Sequence, residues 1–264
     1  MKPPALAATF AALTPIALAP ALAHAGETAC WYEQGVVVAP ASIAGLVGDY
    51  ILDTGTATTQ LHETKAQGAG MVEPAQRGAV SIAGLTLADR PFAVVDLDAR
   101  THAFPTPIAG VIGADLLSAY VVDVSFAPCK VAIHPLGKAP RFAAGIALPL
   151  KRQDGVATAR AAVSDGPRAL AGDFVVATGS DTPVRVAQDL ASVPGALKPE
   201  DLLPYGDRRA RLRAASFAGT LFENLDGGLT AGTQGAGVLG APLLDRWRLR
   251  FDFPGRRLLL APAG

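Results

Sequence analysis

An all-β protein built from two tandem copies of one module, with short helices only, is the fold class this sequence predicts. Three observations carry that expectation. Residues 46–59 read Leu-Val-Gly-Asp-Tyr-Ile-Leu-Asp-Thr-Gly-Thr-Ala-Thr-Thr. They return as residues 170–183, Leu-Ala-Gly-Asp-Phe-Val-Val-Ala-Thr-Gly-Ser-Asp-Thr-Pro, with six of fourteen positions identical at an offset of 124. Residues 110–135 realign on residues 237–262 at an offset of 127, with eight of 26 identical, so two blocks recur in one order at nearly one spacing. Finally, 28 Gly and 21 Pro in 264 residues suit short strands joined by tight turns better than long helices. The copies are expected over residues 35–136 and 145–262, joined by a connector containing Pro140.

Taken in order, residues 1–25 read as an export signal. Lys2 is their only Lys or Arg, an apolar run follows over 5–23, and Ala23-His24-Ala25 fits a small-x-small cleavage site. Pro15 and Pro20 interrupt the run and no basic stop-transfer flank follows, which favours cleavage over a membrane anchor. The expected destination is the periplasm or the exterior, and no other stretch reaches membrane-spanning length. In such an oxidising compartment Cys30 and Cys129 are expected to pair.

Within the first copy, the apolar run 50–52 predicts a strand ending at Asp53. Residues 80–95 predict strands joined around Ala83-Gly84, with a second turn at 88–90. Residues 111–113 end a buried strand, 114–120 suit a short helix, and 122–126 with 131–133 form a hairpin about Ala127-Pro128. In the second copy, 184–193 and 242–247 suit short helices, and the glycine-rich stretches 227–228 and 232–237 suit loops. Arg248-Leu249-Arg250-Phe251-Asp252-Phe253 alternates strictly, which puts Leu249, Phe251 and Phe253 on one strand face. Pro254-Gly255 then turns the chain into a returning strand at 257–260. Arg209, Arg211 and Arg213 also alternate, and predict a solvated outer face.

Composition narrows the function classes. The 23 basic and 23 acidic residues cancel and form no dense basic stripe, which argues against a nucleic-acid partner. His62, His102 and His134 have no metal-ligand spacing, so no metal or other cofactor is implied. No Gly-x-Ser-x-Gly signature suggests a serine nucleophile.

The chemistry-bearing pattern is Asp53-Thr54-Gly55, where Gly55 permits a tight turn that presents the carboxylate at a strand end. The tripeptide alone is weak, but Val111-Ile112-Gly113 follows and both elements recur: Ala177-Thr178-Gly179 and Val238-Leu239-Gly240. Each copy resembles one lobe of a retropepsin-like aspartic peptidase. The chain as a whole resembles a fused two-lobe version of the kind seen in bacterial exported proteins. The resemblance implies two tandem β-barrel lobes whose Thr-Gly loops meet, with Val111, Ile112, Gly113, Val238, Leu239 and Gly240 as the site floor. It also implies a flap at Gly68, Ala69 and Gly70, and mutual support between Thr54 and Thr178.

The same resemblance implies hydrolysis of a peptide or protein substrate by two carboxylates sharing one proton, with Asp53 as one of them. Ala177 departs from the pattern, because a methyl group neither accepts nor donates. Three readings follow. Asp53 faces Ala177 within one chain, leaving a crippled or inert peptidase that binds peptides. Two first lobes pair across a twofold axis and restore the dyad as a homodimer. Or Asp181, aligned with Ala57, supplies the second carboxylate. The expectation is an aspartic endopeptidase working through Asp53, with a peptide-binding or regulatory pseudo-peptidase as the alternative. Asp115 reads as an acid at a helix N-terminus, and Pro242 as a first-turn proline.

Overall fold

The computed structural model describes residues 26–143, 145–187, 200–202, 207–230 and 235–263. The export-signal reading of residues 1–25 lies outside them, as do positions 188–193 of one expected helix and 232–234 of one glycine-rich stretch.

Strand dominates, because β-branched and small residues alternate with turns at positions that accept a positive φ. The first half runs β1 (Glu27–Ala29), β2 (Trp31–Glu33), β3 (Val36–Ile43), β4 (Leu46–Leu52), β5 (Gln60–His62), α1 (Glu63–Gly68), β6 (Ala75–Ile82) and β7 (Leu85–Val95). It continues with α2 (Asp98–Thr101), β8 (Ile108–Ile112), α3 (Ala114–Leu117), β9 (Val121–Phe126) and β10 (Cys129–His134). The second half runs β11 (Ile146–Pro149), β12 (Lys151–Gln153), β13 (Val156–Ser164), β14 (Ala169–Ala177), β15 (Val184–Ala187), β16 (Glu200–Leu202) and β17 (Asp207–Phe217). It ends with β18 (Thr220–Thr230), β19 (Gly237–Gly240), α4 (Ala241–Leu244), β20 (Trp247–Asp252) and β21 (Arg257–Pro262).

Two barrels result, and they carry one connectivity. The first has strand order β2-β3-β4-β8-β5-β7-β6 and closes through β3–β6; the second has β12-β13-β14-β19-β15-β18-β17-β16 and closes through β13–β17. Closure leaves few open sheet edges. A third sheet, β1-β10-β9-β20-β21-β11, joins the lobes, with β9 antiparallel to β20 in the register Val124↔Leu249 to Val121↔Asp252. Its apolar residues, including Leu249, Phe251, Leu258 and Leu260, merge with both barrels into one continuous core. Of the predicted face Leu249 and Phe251 are fully buried, while Phe253 lies just beyond the end of β20 and is half-buried.

Arg250, on the opposite face of β20, is buried as well, since its guanidinium donates twice to Asp123 of the first lobe (2.6 Å each) and once to the Pro140 carbonyl (2.6 Å). The Phe142 ring lies 4.7 Å from the same guanidinium and fastens the connector across the joining sheet. Cys30 and Cys129 form a disulfide that ties the start of the first lobe to β10. No described helix is long and apolar enough to cross a membrane.

Several local expectations change. The second turn at 88–90 is a bulge inside β7: the register slips between Gly78↔Arg90 and Val80↔Leu87, and Asp89 takes φ 50°. Residues 184–187 form strand β15, not a helix, because Val184 and Val186 are buried between β18 and β19. Gly227 and Gly228 lie within strand β18, where a β-carbon on Gly227 would press the Leu212 side chain. Arg211 and Arg213 project outward on either side of buried Leu212, as the alternation predicts.

Candidate active site

Asp53 emerges at the end of β4, whose parallel partner β8 sets Ile51 beside Val111 and Leu52 beside Ile112. In the second lobe β14 and β19 repeat this, with Val176 beside Leu239 and Ala177 beside Gly240. The hydrophobic-hydrophobic-Gly runs therefore lie beside the strands that carry both Thr-Gly loops. Their glycines are required by space and not by backbone conformation, since Gly113 has φ −95°. A β-carbon there would lie 2.7 Å from the Thr58 carbonyl carbon, and one on Gly240 would collide with the Thr182 carbonyl oxygen. Those close approaches let the Ala114 amide donate to the Thr56 carbonyl (2.7 Å) and the Ala241 amide to the Ser180 carbonyl (2.9 Å).

The two loops confront one another across the lobe boundary. The Thr54 hydroxyl donates to the Val176 carbonyl (2.5 Å) and accepts from the Thr178 amide (3.3 Å). Reciprocally, the Thr178 hydroxyl donates to the Leu52 carbonyl (2.6 Å) and accepts from the Thr54 amide (3.2 Å). Both threonines are fully buried. The hairpins after β2 and β12 repeat the exchange, Gly35 packing on Asp181 of the other lobe and Gly155 on Ala57.

Within this frame Asp53 and Ala177 hold equivalent places. A β-carbon on Gly179 would stand 2.5 Å from the Asp53 β-carbon, and one on Gly55 would stand 2.5 Å from the Ala177 β-carbon. A carboxylate at 177 would thus arise opposite Asp53; a methyl stands there instead. Ala177 packs with Ala114, Val156 and Val175 in a small apolar cluster. Asp181 is engaged elsewhere, accepting from Arg185 (3.3 Å) and from the Thr182 hydroxyl (3.1 Å).

Asp53 is only 4% exposed, yet its carboxylate is well supplied with donors. The amides of Gly55 (2.8 Å) and Gly179 (3.2 Å) serve Oδ1, while the Thr56 hydroxyl (2.6 Å) serves Oδ2. A further donor went unrecognised in the sequence. Arg100, on the single turn α2, places Nη2 2.6 Å from Asp53 Oδ2 and 2.9 Å from the Gly179 carbonyl, and Nη1 3.2 Å from the Thr56 hydroxyl. Burial alone would push the Asp53 carboxyl up, but the Arg100 guanidinium, the Thr56 hydroxyl and the Gly55 amide outweigh it and hold the carboxyl below the usual carboxylate range.

Arg100 owes its position to its neighbours. Leu97 and Phe104 flank α2 and pack on Val36, Val38, Ile51, Ile108 and Val111, the outer face of the first barrel. The Thr101 hydroxyl donates to the Leu97 carbonyl (2.9 Å), and His62 Nε2 lies 3.1 Å from Asp98. His62 also accepts from the Thr64 amide as the cap of α1. Asp115 does more than sit at a helix start: its carboxylate accepts from the Thr59 amide (3.0 Å) and hydroxyl (2.7 Å), binding α3 to the loop beyond Asp53. The residues of the expected flap stand at a helix end. Gly68 closes helix α1 and Ala69 is its cap, with the Ala69 amide donating to the Ala66 carbonyl.

No protein-family model matches the chain, and no curated protein sequence matches it. Among solved structures, an aspartic proteinase from Irpex lacteus matches with a TM-score of 0.55 over 90% of this chain and 97% of that one, at 13% identity. That likeness, with the two barrels and the paired Thr-Gly loops, establishes a two-lobed pepsin-like fold.

Proposed function

We propose that this protein binds extended peptides between its lobes and does not hydrolyse them: a pseudo-peptidase on the aspartic-proteinase fold. Peptide hydrolysis on this fold needs one carboxylate to take a proton from water and a second, protonated one to donate to the carbonyl oxygen. The observation that carries the reading is the pair of substitutes around Asp53, a methyl group at 177 and a guanidinium on Oδ2. Ala177 has no proton to give. A guanidinium is no substitute for the protonated carboxyl, and the Arg100 contact lowers the basicity of the Asp53 carboxylate. What the fold would still offer is binding of an extended chain by main-chain hydrogen bonds along the lobe boundary.

A second reading keeps hydrolysis by water activated at Asp53, and the intact Thr54–Thr178 support favours it. We place the protein outside the cytoplasm, in line with residues 1–25 and the disulfide, and as a monomer. Pairing two first lobes through Thr54 would require breaking the three hydrogen bonds it shares with the second lobe of its own chain, and the Thr178–Leu52 bond beside them.

Peptide-library cleavage from pH 3 to 8 by wild type, Asp53→Asn and Ala177→Asp tests the assignment. No cleavage by wild type is the expected result. Turnover by wild type that disappears in Asp53→Asn would establish an enzyme and sink the pseudo-peptidase.

A further inference from the structure

We propose that the acceptors around Asp53 form a recognition site for a guanidinium or ammonium group, which Arg100 fills from within the chain, and that basic side chains of bound peptides compete for it. The peptide origin of the competing group rests on the reading above; the chemistry of the site rests on its geometry.

Every polar atom described toward Arg100 here is an acceptor. Asp53 Oδ1 is already served by the Gly55 and Gly179 amides, so Oδ2 is the edge presented to the cation. The Thr56 hydroxyl gives its proton to Oδ2 (2.6 Å), which leaves only lone pairs for Arg100 Nη1. The Gly179 carbonyl completes the set at 2.9 Å. A carboxylate, a phosphate or another acceptor would be repelled. A neutral amide would leave the buried Asp53 charge uncompensated. A donor-only cation satisfies all three.

The site is also shaped for one. A β-carbon at 179 would stand 2.8 Å from Arg100 Nη2, so Gly179 leaves the space that a planar guanidinium occupies. Arg100 reaches this space from the surface, its side chain being 20% exposed. It rides on a four-residue turn within residues 96–107, which Leu97 and Phe104 pack against the barrel and Asp98 ties to His62, in addition to the bonds of the Arg100 side chain itself.

The test uses the full chain and two probes, N-acetyl-arginine amide and its neutral isostere N-acetyl-citrulline amide, titrated by calorimetry. Arg100→Ala and Arg100→Gln are expected to bind the arginine probe at least tenfold more tightly than either the citrulline probe or the wild type does. Adding Asp53→Asn to either variant is expected to abolish that preference. Equal binding of the two probes, no binding, or a preference that survives Asp53→Asn would each overturn the site. Should both variants unfold, recovery of near-UV circular dichroism with the arginine probe but not the citrulline probe supports it, and no recovery with either overturns it. Peptide cleavage by the same variants would overturn the non-hydrolytic reading and leave the calorimetry to decide the cation site.

Discussion

Asp53 concentrates the physical tension of this molecule in one side chain. A carboxylate removed from water costs several kcal/mol unless it is paired and hydrogen-bonded, and the Arg100 guanidinium with three further donors supplies the pairing. Its folded-state pKa lies below the unfolded value of about 3.9. Its contribution to stability is therefore fully present above that value and lost as pH falls through the lower folded one. The wild type should lose stability toward acid in that window. In Arg100→Ala burial becomes dominant, the sign reverses, and stability carried by this group should rise as pH falls from 7 toward 4. Breaking the pair should also cost about 3 kcal/mol at neutral pH. Urea midpoints from pH 3 to 7 check both; parallel curves for the two proteins would show that Arg100 does not control Asp53.

Among the elements, the meeting of two strand-ended loops matters most. Each loop is carried by a buried strand, β4 or β14, against a parallel neighbour, β8 or β19, and each threonine serves the backbone of the other lobe. Thr54→Val keeps the shape but leaves the Val176 carbonyl and the Thr178 amide without this partner in a buried place. At ~1–3 kcal/mol per unsatisfied group, the loss should be about 3 kcal/mol. Thr178→Val should behave alike, and the double variant should lose less than the sum because the two hydroxyls belong to one reciprocal network, each bonding the backbone amide of the other threonine. Chemical denaturation of the three variants measures this. Full additivity would mean that the threonines act independently.

At the scale of the whole molecule, the joining sheet makes two similar barrels into one body, and the disulfide ties the start of the first lobe to that sheet. The Asp123–Arg250 pair crosses between lobes at the centre of that sheet, and Phe142 lays the connector over it. The Cys30–Cys129 bridge spans a sequence separation of 99 residues, a closure worth up to ~4–5 kcal/mol in the chain-entropy account. Replacing both cysteines by serine should lower the unfolding free energy by about 3–4 kcal/mol while leaving the far-ultraviolet spectrum unchanged. An unaltered urea midpoint would show that the bridge constrains nothing.

Much of this architecture was legible in the residues. Strand alternation at 248–253, the recurrence of the Thr-Gly and hydrophobic-hydrophobic-Gly blocks, and the loss of the second carboxylate at Ala177 are local or periodic signals, and such signals survive in one dimension. Reading failed where the surroundings decide. Residues 184–187 became strand because barrel neighbours flank them, and the turn at 88–90 became a bulge because β6 continues past it. Arg100 had no signal of its own beyond being a base within the twelve residues, 96–107, that separate β7 from β8. Sequence alone determined that two like modules exist, that Asp53 stands at the end of a buried strand in one, and that its counterpart is a methyl group. Only the tertiary structure decided what Asp53 faces, because an ion pair between residues 47 positions apart depends on how separate strands and a single helical turn are brought together in space.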